Sequence, residues 1–516
     1  MIMDKKYALA IDSGSQGVRG CLIDAEGHVA ATAIQTYHDY YSSSFGFVEA
    51  PPDMFWNNMV DVIRKLKKSH DDAFSNIIGI SVSCQRDTTT FIDRKGKPLR
   101  DFISWMDRRT LKQAPAFDEP WNTAFRIAGK KDYVENFART SHCNWLKANE
   151  PDNYDKAAYL IFLSTYLISK LTGHIIDSTA DIAGHLPFNY KKKVWAGRHS
   201  VIGQVLRIDR QMLCPLAPPC TILGTISKEA AKETGLSQTI PVIGSGSDKS
   251  CETIGVGCVR DDIASISLGT QATVQTTTKK YIELIPFYPS LPSVDADAYH
   301  PEYTLYSGFW MVNWFIDNFM SEEKRQCDVT NTSIYDLLEE KLKAVPAGAN
   351  GLLIQPFWGQ DNFKENALGS MIGFTESHHK YHIYRAIIEG IGYALREGME
   401  KIEKKTGTKI KTAALSGGGT NSPAVCQILA DILGIEVYLT DSVDNTCLGA
   451  AMAVFKGLGV YPDLSEAGKK MIAVSHVYNP IPKNRDLYQD IYQHIYLKAY
   501  DRYTPLFKRL KHTFHS

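Results

Sequence analysis

The segment LAIDSGSQGVRGCLID, residues 9–24, narrows the possible folds more than any other part of the chain. An apolar run from Leu9 to Ile11 ends on Asp12, and a second apolar run closes at Asp24, which reads as two short strands around a small-residue turn. Between Asp12 and Arg19 the turn gathers a carboxylate, the hydroxyls of Ser13 and Ser15, the amide of Gln16 and a guanidinium. A second segment, DDIASISLGTQATVQTTTK, has the same build, with Gly269, Thr270 and Gln271 between two β runs. Both turns keep the order glycine, hydroxyl, glutamine. An echo at so long a spacing predicts a duplicated domain, not a solenoid.

The rest of the chain alternates. A third strand is expected over Val29 to Tyr37, another β stretch over IIGISVSCQRDTTTFID, and a helix over 155–172. Residues 177–195 read as loop and turn, with the three lysines at 191–193 as a solvated tip and Arg108 and Arg109 as surface charge. TIPVIGSGSDKSCETIGVGCV is a strand, a Gly/Ser turn and a helix opening at Asp248. A long amphipathic helix is expected from Tyr381 to Lys405, with Ile383, Ile387, Ile391 and Leu395 on one face. A strand, Gly417-Gly418-Gly419 and a helix from Ser422 or Pro423 follow, and then a helix over about Cys447 to Phe455. Alternating β and α segments in both halves predict an α/β architecture.

Paired glycine-hydroxyl turns suit phosphate: glycine lets backbone N–H groups converge on an anion, and Ser15 or Thr270 adds a donor. Arg19 can neutralise charge, and Asp12 can hold Mg²⁺ directly or through water. Two tight hairpins with an Asx-turn at Asp12 explain the same residues without a ligand. Gly417, Gly418, Gly419 and Asn421 stand where a backbone can approach a ligand closely, though the loop is not a Walker A motif. Asp248 reads either as a helix N-cap or as a general base taking a hydroxyl proton. Gln85, Arg86, Asp87, Trp105 and Asp107 offer the fixed polar partners and aromatic wall that a polyhydroxylated ligand needs.

Composition excludes some partners. Lys+Arg and Asp+Glu both number 57, so no net charge draws the chain to nucleic acid or anionic lipid. Ten scattered cysteines without a C-x-x-C pair fit reduced thiols. The opening residues carry too short an apolar run for a signal peptide, and no stretch reaches transmembrane length. A cytoplasmic chain without a membrane or nucleic-acid partner is expected.

Together these residues resemble the FGGY carbohydrate kinases. DSGSQGVR resembles that family's first phosphate motif, with Ser15 where threonine is usual. QRDTTTFIDRKGKPLRDFISWMDRR is similar to its sugar-site hairpin, LTGHIIDSTADIAGHLPFN to a segment following it, and GSGSD to the turn bearing the catalytic aspartate. SLGTQA resembles the second phosphate motif, while GFTESHHKYHIYRAIIEGIGYALREGME and the SGGGTNSPAV to CLGAAMAV stretch resemble the two C-terminal signatures.

The resemblance implies two actin-like (ribonuclease H-like) ATPase domains, 1–254 and 255–516, with MgATP in an interdomain cleft. It implies Asp248 as base and Asp12 as metal partner. Gly14, Ser15, Gln16, Arg19, Gly269 and Thr270 are implied as the phosphate shell, with Gly418, Gly419 and Asn421 toward adenosine. The acceptor is expected to be a small neutral polyol or keto-sugar, and a homodimer is a family expectation. The alternative is a ligand-binding regulator of the same fold without catalysis. Two departures bear on the acceptor: Gln85-Arg86-Asp87 resembles the Gln-Arg-Glu of glycerol kinases with a side chain one methylene shorter, and Lys249 replaces the usual Gln or Asn. The Lys249 ammonium can lower the pKa of Asp248, contact a ligand or face solvent.

Overall fold

Tyr7–Ser13 is buried along nearly its whole length, the pattern of a strand covered on both faces. In the computed structural model, which describes residues 5–359, 361–442 and 444–515, it forms a central strand of the first of two units. That unit comprises residues 1–257 with Ser290–His300 and Ser442–Ala473; the second comprises Cys258–Pro289, Pro301–Asp441 and Val474–Ser516.

The first unit is built on a six-stranded sheet. Its strands are β1 (Tyr7–Ser13), β2 (Gly17–Asp24), β3 (Val29–Thr36), β4 (Ile77–Cys84), β5 (Ile222–Thr225) and β6 (Pro241–Ile243). The spatial order is β5-β6-β4-β1-β2-β3. β1, β2 and β3 form an antiparallel meander, while β4 runs parallel to β1 and β6 parallel to β4. Leu9, Ile11 and Leu22 join Phe55, Met59, Ile63 and Leu66 of the helix Pro52–Ser69 in one core. The helix Asn445–Gly457, whose Cys447 Sγ reaches the carbonyl of Ala10, packs on β1 and β4.

The second unit repeats the plan. Its sheet contains β7 (Ile263–Leu268), β8 (Ala272–Thr276), β9 (Glu302–Leu305), β10 (Thr412–Ser416), β11 (Glu436–Thr440) and β12 (Val474–Tyr478), in the order β9-β8-β7-β10-β11-β12. β7, β8 and β9 are again an antiparallel meander, with β10 parallel to β7 and β11 parallel to β10. Both units are therefore actin-like α/β folds. The 27-residue helix Lys380–Thr406 buries Ile383, Ile387, Ile391 and Leu395 and stops at Gly407, which takes a left-handed conformation (φ 86°).

Two expectations need correction. Residues 155–172 are not one helix: Tyr159–Phe162 is a strand paired with Thr89–Ile92, and the helix is Leu163–Thr172. The apolar run YLIFLSTYLI lacks a period that separates the two states, and a waiting strand partner decides it. Of the three lysines, Lys193 is no solvated tip, because its Nζ donates to the carbonyls of Ala296 and Ala298 at 2.5 and 2.7 Å. All ten cysteines are buried free thiols. Among the described residues no helix is long and apolar enough to cross a membrane.

Candidate active site

The turn after β1 is closed by Gly14 N–H donating to the carbonyl of Gly17 at 3.0 Å, and it sets Asp12 opposite Arg19 in the β1–β2 register. The Arg19 guanidinium pairs with Asp444, whose other oxygen caps the helix Asn445–Gly457 by accepting from Cys447 N–H at 2.9 Å. Asp12 is left differently: its Oδ1 is buried with no protein partner. Burial, with Asp444, Asp248 and Glu252 nearby, holds its carboxyl well above the usual carboxylate range. A desolvated oxygen without a donor, among further carboxylates, is what a hard divalent cation relieves. The donor set fits Mg²⁺.

Asp248 belongs to the same unit. It is the first residue of the helix Asp248–Gly255, so Ser247 occupies the N-cap position, although its side chain makes no cap bond. Asp248 Oδ1 accepts from the backbone N–H of Lys249 at 2.7 Å. Burial raises its pKa, while the positive charges of Arg86 and Lys249 pull the other way. Lys249 is itself committed: Nζ donates to Glu252 Oε2 at 2.6 Å. The helices Asp248–Gly255 and Asn445–Gly457 run antiparallel in backbone contact. A Cβ on Gly449 would lie 2.0 Å from the Cys251 carbonyl, and one on Gly255 1.9 Å from that of Asn445.

The sugar-side residues divide. Gln85 is locked to the turn by its N–H donating to Ser13 O at 2.9 Å, and Oε1 of its side chain is buried without a partner. Trp105, 44% exposed, donates Nε1–H to Ser15 Oγ at 2.8 Å and so joins the acceptor-side loop to the first turn. Asp87 adopts a positive φ of 56° and is engaged by His185, which donates its backbone N–H to Oδ1 at 2.8 Å and sets Nδ1 2.5 Å from Oδ2.

Asp107 departs from its expected role as a ligand contact. Its carboxylate accepts from Val48 N–H at 2.6 Å and from Arg109 N, Nε and Nη2, each at 2.8 Å, which leaves it a brace inside the loop. Arg109 is likewise not surface charge; it lies over Phe47 and Trp145 at 4.0 and 4.5 Å.

In the second unit Gly269, Thr270, Gly418, Gly419 and Asn421 line one cavity of about 800 Å³. That is ample for a nucleoside. Phe309, Trp310 and Tyr335 give it aromatic walls, and Asn313 and Asp336 add polar groups. Phe309 N–H donates to Gly269 O at 3.0 Å, which ties the β7–β8 turn to the wall. A Cβ on Gly418 would meet nothing within 4 Å, so its backbone faces open space. Gly417 does not line the cavity; it turns the chain with a φ of 85°, against the backbone of Leu268. Ser422 caps the helix Pro423–Leu433 and also donates to Glu339.

Asp444, Glu252, His142 and His185 escaped the sequence reading. Asp444 just precedes a motif-bearing helix, and the Ser-His-Cys and Gly-His-Leu triplets carry no spacing that marks a site. The aromatic cavity wall, Phe309-Trp310, reads in sequence as ordinary core.

Comparison with known proteins identifies the family and the fold. Residues 7–255 match the model of the N-terminal domain of the FGGY family of carbohydrate kinases, and residues 264–457 match that of its C-terminal domain. The Escherichia coli sugar kinase YgcE is 28% identical over 487 residues, covering 94% of this chain and 92% of that protein. The xylulose kinase of Lactococcus lactis is 28% identical over 494 residues, covering 94% and 95%. The crystal structure of a gluconate kinase from Lactobacillus acidophilus superposes with a TM-score of 0.83 at 23% identity, over 98% of this chain and all of that one.

Proposed function

We propose a specific reaction on one premise: this chain belongs to the FGGY family of carbohydrate kinases. It is a phosphotransferase with an alcohol group as acceptor. The donor in this reading is ATP, and the acceptor is a small neutral polyol or keto-sugar. The observation that carries it is the half-buried carboxylate of Asp248, flanked by the charges of Arg86 and Lys249 in the unit that also holds the unpartnered oxygen of Asp12.

The acceptor oxygen forms a bond to the γ-phosphorus as the bond from that phosphorus to the β-bridging oxygen breaks, and the hydroxyl proton passes to Asp248. Burial raises the proton affinity of Asp248, the direction a base needs, while the charges of Arg86 and Lys249 favour its ionised form. Gly14, Ser15, Gln16 and Arg19 in the first unit, and Gly269 and Thr270 in the second, are assigned to phosphate oxygens. Gly418, Gly419 and Asn421 are assigned to adenosine, beside the aromatic wall. Asp12 would hold Mg²⁺, directly or through water, and the ion when bound supplies neutralisation of phosphate charge.

Charge supports a neutral acceptor in part: Lys249 is already paired with Glu252, and His185 with Asp87, so neither brings uncompensated positive charge to an anionic acceptor. The name of the Lactococcus relative points the same way, since xylulose is a keto-sugar. ADP release measured across glycerol, pentuloses and an aldonate tests the reading. Release is expected with a neutral acceptor and is expected to fall about 10²- to 10⁴-fold in Asp248→Asn while ATP still binds. Comparable turnover in that variant removes Asp248 as base; preference for the aldonate removes the neutral acceptor.

A further inference from the structure

Asp87 stands next to two imidazoles for which the reaction above has no task. His185 follows Gly184, and a Cβ at Gly184 would lie 2.3 Å from Asp87 Oδ1, so loop and carboxylate are in contact. The backbone N–H and Nδ1 of His185 occupy the two carboxylate oxygens at 2.8 and 2.5 Å. This double contact fixes the ring and turns Nε2 away from Asp87. Among the described residues Nε2 has no hydrogen-bond partner, and the side chain is 21% exposed. The ring leans on Phe137 and His142, with centroids 5.1 and 5.4 Å away.

We propose that His185 reads the acceptor, donating its Nε2 hydrogen to an acceptor oxygen other than the one phosphorylated, and that Asp87 is a positioning residue acting only through His185. The inference rests on the acceptor reading above. Each Asp87 oxygen already takes one contact from His185, so the carboxylate is oriented by the His185 loop. The carboxylate, one methylene shorter than the Glu of the related motif, holds a longer side chain whose outer nitrogen is open. A buried carboxylate behind an imidazole sets which nitrogen carries the proton and where the other points.

Protonation gives the inference a signature. The groups facing His185 are Asp87, which raises its pKa, and His142, which burial pushes down to about 4 and so keeps neutral. The Tyr190 hydroxyl accepts from Gly184 N–H at 3.2 Å, Asp87 and Arg86 act on Tyr190 with opposite sign, and Asp107 and Arg109 act on His142. Protonated, His185 donates through both nitrogens. Deprotonated, with Nδ1–H retained on Asp87, Nε2 can only accept. Acceptor affinity is therefore lost as pH rises through the His185 pKa.

The test uses the intact enzyme and whichever acceptor of the panel above it turns over best, with acceptor KM, ATP KM and kcat measured from about pH 6 to about pH 9. Wild type is expected to show acceptor KM rising with pH while ATP KM stays flat. His185→Gln keeps a non-titrating donor near Nε2 and should abolish the rise. His185→Asn keeps the donor to Asp87 but not the reach, and should raise acceptor KM by about tenfold or more at neutral pH. Asp87→Asn should move the rise to lower pH.

A flat wild-type profile overturns the inference without any variant, so it does not depend on the variants folding. So does His185→Asn with unchanged acceptor KM. So does a stoichiometric transition metal in purified wild type that is lost from His185→Asn, which would make Asp87, His142 and His185 a metal site instead. Wild-type turnover with unaffected His185 variants sinks this inference alone, whereas no turnover on any acceptor sinks the kinase reading and this inference with it.

Discussion

At the scale of single residues, Lys249 shows how a charge that is already paired can still tune its neighbour. Its ammonium is held by Glu252 at 2.6 Å, yet its field lowers the pKa of Asp248. Asp248 works as a base only when ionised, so its pKa sets the acid limb of kcat/KM. Replacing Lys249 by Met removes a charge that lowers that pKa and exposes Asp248 to Glu252, which raises it. Both changes act in one direction. The acid limb of Lys249→Met is expected at higher pH than that of wild type, with the plateau less affected than the limb; a limb that stays put or moves down contradicts the assignment of the limb to Asp248. In sequence, Lys249 had three open roles, because a helix position does not say which turn its side chain returns to. Asp107 misled for a related reason. A carboxylate two residues before an arginine looks available until the chain folds the guanidinium back onto it.

At the scale of elements, amphipathic helices were legible and the apolar run near 160 was not. The stripe Ile383, Ile387, Ile391, Leu395 located Lys380–Thr406 to within a residue at each end, and Pro423 marked the start of its helix. Glycines are harder to read, since each looks alike in sequence and acts through what lies opposite. Gly449 lets two helices touch, and an alanine Cβ there would sit 2.0 Å from the Cys251 carbonyl, in the helix that begins at Asp248. Gly449→Ala should therefore lower stability by about 1–3 kcal/mol and reduce kcat, because separating the helices displaces the base. Gly418→Ala is the opposite case: no atom lies within 4 Å of the new methyl, so denaturation should change by less than about 0.5 kcal/mol. If nucleotide backbone contact is made there, its KM for ATP rises while acceptor KM holds. Thermal melts beside the two KM values separate these outcomes, and an unchanged ATP KM in Gly418→Ala removes Gly418 from the adenosine site.

At the scale of the whole molecule, the echo between Gly14-Ser15-Gln16 and Gly269-Thr270-Gln271 pointed to a duplicated domain. Each unit has a six-stranded sheet with an antiparallel meander beside a parallel strand, the two differing in the chain order of their last two strands. The chain path was less legible. Ser290–His300 and Ser442–Ala473 return to the first unit, and nothing in local periodicity marks a return, because a helix has the same stripe whichever sheet it covers. The return matters for function. It brings Asp444 to Arg19, 425 positions earlier in the chain, and Asp444 also caps the helix it precedes. Amide exchange should expose this wiring. ATP is expected to slow exchange in the second unit at 268–270, 309–313 and 418–425, where the cavity lies. In the first unit it should protect 12–19 together with 444–449, since ordering Arg19 on phosphate also orders its partner and that helix end. An acceptor alone should protect 83–90, 137–145 and 181–190, the segments around Asp87 and its two imidazoles. Asp444→Asn provides the control: protection at 12–19 should persist while that at 444–449 falls away. Equal protection of both segments in that variant would mean that the phosphate turn and the returning helix respond to nucleotide by separate routes.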